Sequence, residues 1–349
     1  MPVFNHPEFD DHELVVHHAD PKTGLRAIIA VHNTRLGKGL GGCRMWTYRD
    51  EGEALTDVLR LSRGMTYKAA MAGLPQGGGK SVILGDPRKD KTPEMMRAMG
   101  RFVNALGGKY VIAEDSGTSV ADMREVAKET KFIGGLADEK ATASGRTGDP
   151  SPATAYGVFV GLKSAVKFKL GRDTLKGLKV AIQGVGNVGS RLAHHLAEAG
   201  ATLWVTDAHA PTVERCAREV KATAVGMDEI FALDVDVFAP CALGAILNDR
   251  TVPLLRAAVV AGAANNQLAE RRHDAMLVQK GVLYAPDYVI NGGGIIDIHY
   301  EGPGYDEHKA RAHLDRIGET LTTIFERSAR EKRPTGEIAD RMAEERFKR

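Results

Sequence analysis

Lys68 in MTYKAAMAG, Lys80 in GLPQGGGKS and Asp115 in AEDSGTS are side chains whose type and setting suit chemistry. Each charge sits among small or apolar residues, and the glycines beside Lys80 let a substrate approach the backbone. Dehydration penalises an ammonium, so one of two neighbouring lysines would have its pKa drawn down from about 10.4 towards working pH and serve as a base. The plainer alternative is that the lysines are solvated surface groups and Asp115 caps a turn; spacing alone does not separate the two. The stretch GLPQGGGKS also looks like a nucleotide phosphate cradle. The P-loop pattern, however, needs a glycine where Leu74 stands, and Gly73 lies one place too far back. A P-loop also runs from strand to helix, whereas here a helical RLSRGMTYKAAMAGL precedes a strand-like SVILGDP. An ATPase is therefore a disfavoured alternative.

The elements that must position these residues fall into two α/β parts. Up to residue 136, strand-like LRAIIAVHN and KYVIAED accompany helical EALTDVLRLSRGMTYKAAMA. The loop ATASGRTGDPSP then marks a boundary. Ser151 followed by Pro152 predicts a capped helix start running into AYGVFVGLKSAVKF. Next comes strand, glycine turn, helix, strand: LKVAIQ, GVGNVG, SRLAHHLAEAG, ATLWVTD. Gly184, Gly186 and Gly189, with Asn187 and Val188 between them, form G-x-G-x-x-G, and Asp207 ends the second strand at the spacing of a ribose-binding acid. That context predicts a dinucleotide-binding Rossmann unit. Asp207 can accept from a 2′-hydroxyl and would repel a 2′-phosphate, which favours NAD over NADP. The short runs VDVFAP, AAVVAG and LYAPDYVI predict further strands of a parallel sheet. In HKARAHLDRIGETLTTIFERS, Leu314, Ile317, Leu321 and Ile324 share one helical face, read as core packing. The organisation expected is 1–136 as substrate domain, 137–330 as Rossmann domain, and a helical segment over 331–349 packing back on the first.

Composition narrows the function classes. The 349 residues carry 47 basic and 45 acidic side chains, a formal net charge of +2, which leaves no electrostatic footprint for nucleic acid or an anionic membrane. The longest small or apolar run, AAVVAGAA, is far too short to cross a bilayer. MPVFNHPEFDDHELVV lacks a basic start before an apolar core, so no secretory signal is expected and a cytoplasmic location is. Cys43, Cys216 and Cys241 are odd in number and outside any C-x-x-C pattern, so they read as packing residues rather than a disulfide framework or zinc site. His12, His17 and His18 in HELVVHH offer metal-ligand chemistry, but alternation around LVV suggests a strand with a wet face, and no metal is expected.

Taken together, LGGCRM, MTYKAAMAGLPQGGGKSVI, AEDSGTS, GDPSPATAYGVF, GVGNVG and YAPDYVINGGG resemble the amino-acid dehydrogenases acting on glutamate, leucine, phenylalanine and valine. The segments occur in the family's order across nearly the whole chain. GDPSPATAYG and the NNQL run are most similar to the leucine and valine branch, and AANN also to the phenylalanine branch. The resemblance implies reversible oxidative deamination of an L-amino acid, with NAD and water giving a 2-oxo acid, ammonium and NADH. It implies that Lys68 holds the substrate carboxylate with help from the backbone near Gly42. Lys80 would then activate water and stabilise the carbinolamine oxygen, while Asp115 exchanges protons with the amino group. Thr154 and Asn265 or Asn266 resemble positions around the nicotinamide; their plainer readings are helix back-bonding and a loop turn. The fold implied is a mixed α/β substrate and oligomerisation domain beside the Rossmann domain, with an active-site cleft that closes between them and a homo-oligomeric assembly. Glutamate-specific members carry a lysine at the position of Leu40, so an apolar substrate is expected, its pocket finished by Ala113 and the segment from Val289 to Ile296. Leucine, valine, isoleucine and phenylalanine are not ranked, since a methylene in such a pocket is worth only about 1–3 kcal/mol. A non-catalytic Rossmann sensor of dinucleotide or amino acid is the remaining alternative.

Overall fold

The computed structural model describes residues 2–136, 149–301 and 305–348. Two compact units emerge: 1–148 with 301–305 and 343–349, and 149–300 with 306–342. The expected boundary after residue 136 and most of the ATASGRTGDPSP loop lie outside the described residues.

The first unit is built on a five-stranded sheet of order β1-β2-β4-β3-β5, comprising β1 (Leu14–Asp20), β2 (Leu25–Asn33), β3 (Gly39–Trp46), β4 (Gly77–Leu84) and β5 (Tyr110–Glu114). Strands β4, β3 and β5 run parallel, while β2 is antiparallel to both β1 and β4. Alternation along β2 splits the core: Ala27, Ile29 and Val31 join Met95, Met96 and Met99 of α2 (Pro93–Ala105), whereas Ile28 and Ala30 join Leu55, Val58 and Leu59 of α1 (Glu51–Met71). A third helix, α3 (Val120–Ala127), packs with the α2 side. The sequence places the strand after the lysine; the structure starts it earlier, with all of GGGK inside β4. Its glycines are fixed by close approach: a Cβ at Gly78 would lie 2.1 Å from the Thr66 nitrogen on α1, and one at Gly79 would lie 2.6 Å from the Tyr110 ring. One histidine expectation changes. His17 and His18 lie on β1, pairing with Glu51 and stacking on Phe102, but His12 is buried before the strand and contacts the Leu59 carbonyl and the Ser62 hydroxyl.

The second unit carries a six-stranded parallel sheet of order β11-β10-β9-β6-β7-β8. Its strands are β6 (Lys179–Gln183), β7 (Thr202–Thr206), β8 (Thr223–Ala224), β9 (Val237–Pro240), β10 (Val259–Val260) and β11 (Leu283–Tyr284). Counted from β6, this is the 3-2-1-4-5-6 order of a doubly wound dinucleotide fold, with its switch point between β6 and β9. The helix predicted from Ser151 is α4 (Ser151–Leu170), but its start differs: Ser151 is the first helical residue and makes no capping bond. Instead the Asp149 side chain accepts from the Ser151 amide at 2.9 Å. Helices α5 (Asn187–Glu198), α6 (Ala210–Val220) and α7 (Arg272–Gln279) follow. LYAPDYVI is strand only as far as Tyr284; after Pro286 it turns into the short helix α8 (Asp287–Ile290), then α9 (Gly293–Tyr300). Helix α10 (Glu307–Glu331) buries Leu314, Ile317, Leu321 and Ile324, and Gly157 and Gly161 of α4 admit Ile317 and Leu321. The last helix, α11 (Thr335–Phe347), begins in the second unit and its final residues belong to the first.

Asp274 on α7 is buried, and its Oδ2 accepts the Gly336 amide in the first turn of α11 at 2.7 Å. Its Oδ1 has no hydrogen-bond partner. Burial, reinforced by Asp340, pushes this carboxyl from 3.8 up to about 6. A raised carboxyl pKa means that the folded state holds the proton more tightly than the unfolded chain does. The group's contribution to stability is therefore full below the unfolded value and lost as pH rises to about 6. Asp274→Asn keeps an acceptor for Gly336 and removes the buried charge. It is expected to be more stable than the parent near neutral pH by up to about 3 kcal/mol, the advantage shrinking towards pH 4, as urea denaturation across that range would measure.

Candidate active site

Strand alternation brings the predicted substrate residues of the first unit onto one face of its sheet. Leu40 pairs with Gly78 and Val111, Cys43 pairs with Ser81, and Gly42 pairs with Ala113. With a side-chain period of two, Leu40 and Gly42 of β3, Lys80 of β4 and Ala113 of β5 share the face that α1 covers, and Asp115 follows just beyond β5. Their opposite neighbours Cys43 and Tyr110 face the α2 core. Leu40 and Ala113 are each 5 % exposed. Lys68 is half-buried in the last turn of α1, the helix that covers this face.

Lys80 is buried, and its Nζ donates to Asp115 Oδ2. The Ser116 amide donates to Asp115 Oδ1 at 2.5 Å, and Arg44 Nε stands 3.5 Å from that oxygen. Burial alone would push the Asp115 carboxyl up, but the Lys80 and Arg44 cations outweigh it and hold the group well below the usual carboxylate range. The turn is fixed as well: the Asp115 amide donates to Thr118 Oγ1 at 3.0 Å, and that hydroxyl donates to the Cys43 carbonyl at 2.9 Å. Asp115 thus belongs to a turn and to an ion pair at once. Gly42 makes the pair sterically attainable, since a Cβ there would lie 2.7 Å from Asp115 Cβ and 3.0 Å from its Oδ2. Arg44 was not singled out from the sequence; its signal is its place two residues after Gly42 in LGGCRM, hence on the same face.

The geometry excludes the phosphate cradle. Gly78 and Gly79 sit in a strand paired on both sides, so their backbone is committed to the sheet rather than turned towards an anion. A thiol nucleophile fares no better: burial pushes the Cys43 thiol up to about 12 and Cys216 to about 11. Among the described residues, Asp249, Glu270 and His273 are grouped closely enough to hold a cation, but the Arg272 guanidinium already bonds both carboxylates.

In the second unit the glycine turn follows β6 at the switch point, and its three glycines divide the work. Gly184 has φ +92°, a left-handed conformation. A Cβ at Gly189 would lie 1.9 Å from the Gly184 carbonyl oxygen, so this glycine sets how closely α5 approaches the strand. A Cβ at Gly186 would meet nothing within 4 Å. No protein atom demands glycine there, which fits a backbone that must stay open to a pyrophosphate at the N-terminus of α5. Asn187 and Val188 open that helix. Asp207, directly after β7, accepts from the Val185 amide at 2.8 Å and from the His209 amide at 3.0 Å. Each oxygen retains a lone pair for a ribose hydroxyl. The residues present therefore fit a dinucleotide.

The remaining positions lie near the same sheet. Thr154 Oγ1 donates to the Pro150 carbonyl at 2.9 Å, the back-bonded arrangement. Asn265 Oδ1 accepts from Asn291 Nδ2 at 2.7 Å, and Asn266 takes φ +49° while its carbonyl accepts the Ala245 amide. Asn291 lies within the Val289–Ile296 segment but was not singled out individually from the sequence. In the Val289–Ile296 segment, a Cβ at Gly293 would lie 2.2 Å from the Ala153 carbonyl oxygen, so small residues there let α9 approach α4.

One unit thus carries a doubly wound sheet with a glycine turn suited to a dinucleotide, and the other a buried lysine–carboxylate pair. Residues 12–132 match the Glu/Leu/Phe/Val dehydrogenase dimerisation domain, and 145–213 with 203–331 match the Glutamate/Leucine/Phenylalanine/Valine dehydrogenase domain. The chain is 50 % identical over 347 residues to leucine dehydrogenase of Geobacillus stearothermophilus, covering 99 % of this chain and 94 % of that one. It is 44 % identical over 354 residues to phenylalanine dehydrogenase of Caldalkalibacillus thermarum, covering 100 % and 95 %. The crystal structure of L-tryptophan dehydrogenase from Nostoc punctiforme superposes with TM-score 0.84 at 44 % identity, covering 97 % and 96 % of the two chains. The protein belongs to the glutamate/leucine/phenylalanine/valine dehydrogenase family and is an amino-acid dehydrogenase acting on the CH–NH2 group of its donor.

The contrast between the glycines is testable. Gly186→Ala is expected to leave the melting temperature within about 2 °C of the parent while raising the dinucleotide Kd at least about 10-fold. Gly189→Ala, which drives a methyl into a carbonyl, is expected to lower the melting temperature itself. Calorimetry and NADH fluorescence titration would check both.

Proposed function

We propose that the protein catalyses reversible NAD-dependent oxidative deamination of an apolar L-amino acid, in which the amino acid, NAD and water give the 2-oxo acid, ammonium, NADH and a proton. The observation that carries the reading is the buried Lys80–Asp115 pair lying on the same sheet face as Leu40, Gly42 and Ala113. Lys68 binds the substrate carboxylate and fixes the end of the molecule that does not react. Asp115 takes a proton from the substrate ammonium, so that the nitrogen lone pair assists departure of the Cα hydride. When bound, the nicotinamide supplies the hydride acceptor at C4. Lys80 then orients the water that attacks the imine carbon, passes the protons released from it to solvent, and through its N–H donors stabilises the negative charge that develops on the carbinolamine oxygen. Asp115 returns a proton to the nitrogen as ammonia departs.

Leu40 decides the substrate class. A carboxylate on the substrate side chain would meet a buried isobutyl group instead of a cation, and an unpaired buried charge costs several kcal/mol, about 3–5 where such pairs have been broken. Glycine, alanine and leucine walls accept an aliphatic or aromatic side chain. Asp207 supports NAD over NADP, because an acid at this place after the second strand can accept from a 2′-hydroxyl and would repel a 2′-phosphate. Thr154, Asn265 and Asn266 are proposed for the nicotinamide. The match of 12–132 to a dimerisation domain supports a homo-oligomer. Three free thiols suit a reducing, cytoplasmic setting. The working division remains 1–136 for substrate binding, 137–330 for the dinucleotide and 331–349 as a closing helical segment.

Purified protein incubated with NAD and single L-amino acids at alkaline pH is expected to form NADH with leucine, valine, isoleucine or phenylalanine. Turnover with glutamate and none with leucine would overturn the role of Leu40. Lys80→Ala is expected to lower kcat by about 10²- to 10⁴-fold with dinucleotide binding retained.

A further inference from the structure

Arg44 is a charged side chain on the reacting face that the chemistry above leaves without a task. Its far end is clamped. Nη1 donates to both carboxylate oxygens of Asp57 on α1, at 3.2 and 3.0 Å, and the Tyr48 hydroxyl donates to Asp57 Oδ2 at 2.7 Å. Burial and the Asp57 charge push the tyrosine pKa up, so Tyr48 stays a donor. The near end is not satisfied. Arg44 Nε is buried, has no hydrogen-bond partner among the described residues, and points its charge at Asp115 Oδ1 from 3.5 Å. That distance is a few tenths of an ångström beyond a normal N–H···O bond, and a buried guanidinium N–H left unpaired is costly. Asp115 therefore lies between two cations. Lys80 holds Oδ2, and Arg44 is aimed at the oxygen that Lys80 does not use.

We propose that Arg44 is a positioning residue for Asp115: clamped by Asp57 and Tyr48, it takes up the carboxylate through Oδ1 when Oδ2 leaves Lys80 to exchange a proton with the substrate nitrogen. The inference rests on the assignment of Lys80 and Asp115 as the proton-handling pair. Exchange requires Asp115 to give up its bond to Lys80 while staying in place, and a rotated carboxylate would lose the substrate proton. The Ser116 amide alone leaves the outer half of Oδ1 unsupported. Arg44 fills that need, and its fixed charge favours release of the proton from Asp115 to the departing ammonia. A lysine at position 44 would keep the charge but could not grip Asp57 and aim a second N–H at Asp115 in one planar fork.

The test compares Arg44→Met, Arg44→Lys, Asp57→Asn and Asp115→Asn in the full-length protein, by pH profiles of kcat/KM with NAD and an apolar amino acid and by NADH titration. Arg44→Met is expected to lower kcat by about 10- to 100-fold with dinucleotide Kd unchanged within about 2-fold. Losing a cation raises the pKa of its neighbours, so the acid limb of the profile is expected to move up by about one pH unit. Arg44→Lys should return the limb to its parental place without restoring kcat. Asp57→Asn keeps the arginine charge and loosens its anchor, so kcat should fall while the limb does not move up. If Arg44→Met matches the parent in kcat and limb, the proposal is overturned. It is equally overturned if Asp57→Asn and Arg44→Lys both keep parental kcat, since Arg44 would then act only as a distant charge. Asp115→Asn at the parental rate would instead remove the pair on which the inference rests. Should Arg44→Met fail to fold, the lysine and Asp57 variants decide the matter alone.

Discussion

The ion pair between Lys80 and Asp115 is the constraint around which the first unit is arranged. Taking both charges out of water costs several kcal/mol per ion, and the fold recovers it only through close geometry and further hydrogen bonds. Each supporting feature answers that demand. The parallel strands set lysine and carboxylate on one face. Gly42 leaves out the side chain that would collide with Asp115, and Thr118 ties the turn carrying it to the Cys43 carbonyl. The GGGK glycines serve the same end, since any side chain at Gly78 would push α1 away from β4 and unseat the helix that bears Lys68.

An ionised Asp115 held this far below the usual carboxylate range is a poor base while Lys80 remains its partner. The proton chemistry proposed for it therefore depends on exchange of partners. A substrate ammonium entering the site brings a competing cation, and an imine or carbinolamine nitrogen changes the local charge at each stage. A carboxylate flanked by two cations, Lys80 and the clamped Arg44, can be released from the first without being left unpaired, which a lone lysine partner would not allow.

Much of this was legible in the sequence, for identifiable reasons. The Rossmann unit announces itself because glycine spacing, strand period and the acid after the second strand are all local signals, and local signals survive in one dimension. Lys68, Lys80 and Asp115 drew notice as charges among small residues, but spacing alone left a solvated reading open, and the family resemblance assigned their roles. Arg44 did not, because arginine is common and its meaning lies in strand parity with Gly42 and in Asp57 on a neighbouring helix. Nor did the Asp274 cap, which joins α7 to α11 across 62 positions of sequence separation. The Ser151 start was misread for a related reason: capping preference is a tendency, and Asp149 supplied the acceptor instead. The chain from Asp287 read as strand because a short apolar run has no period of its own, and Pro286 decided the outcome.

The three glycines of GVGNVG show how a motif separates into structural and functional parts. Gly184 is required by its backbone angle and Gly189 by a neighbouring carbonyl, so both would be needed in a turn that bound nothing. Gly186 alone faces open space, and as the helix N-cap it would be served at least as well by a capping serine or aspartate if the turn had no ligand. The same reasoning applies to Leu40, a buried isobutyl group beside a lysine-bearing strand, which would offer a substrate side chain no counter-charge. Positions that the fold leaves unconstrained, or constrains in only one chemical sense, are where this chain states what it binds.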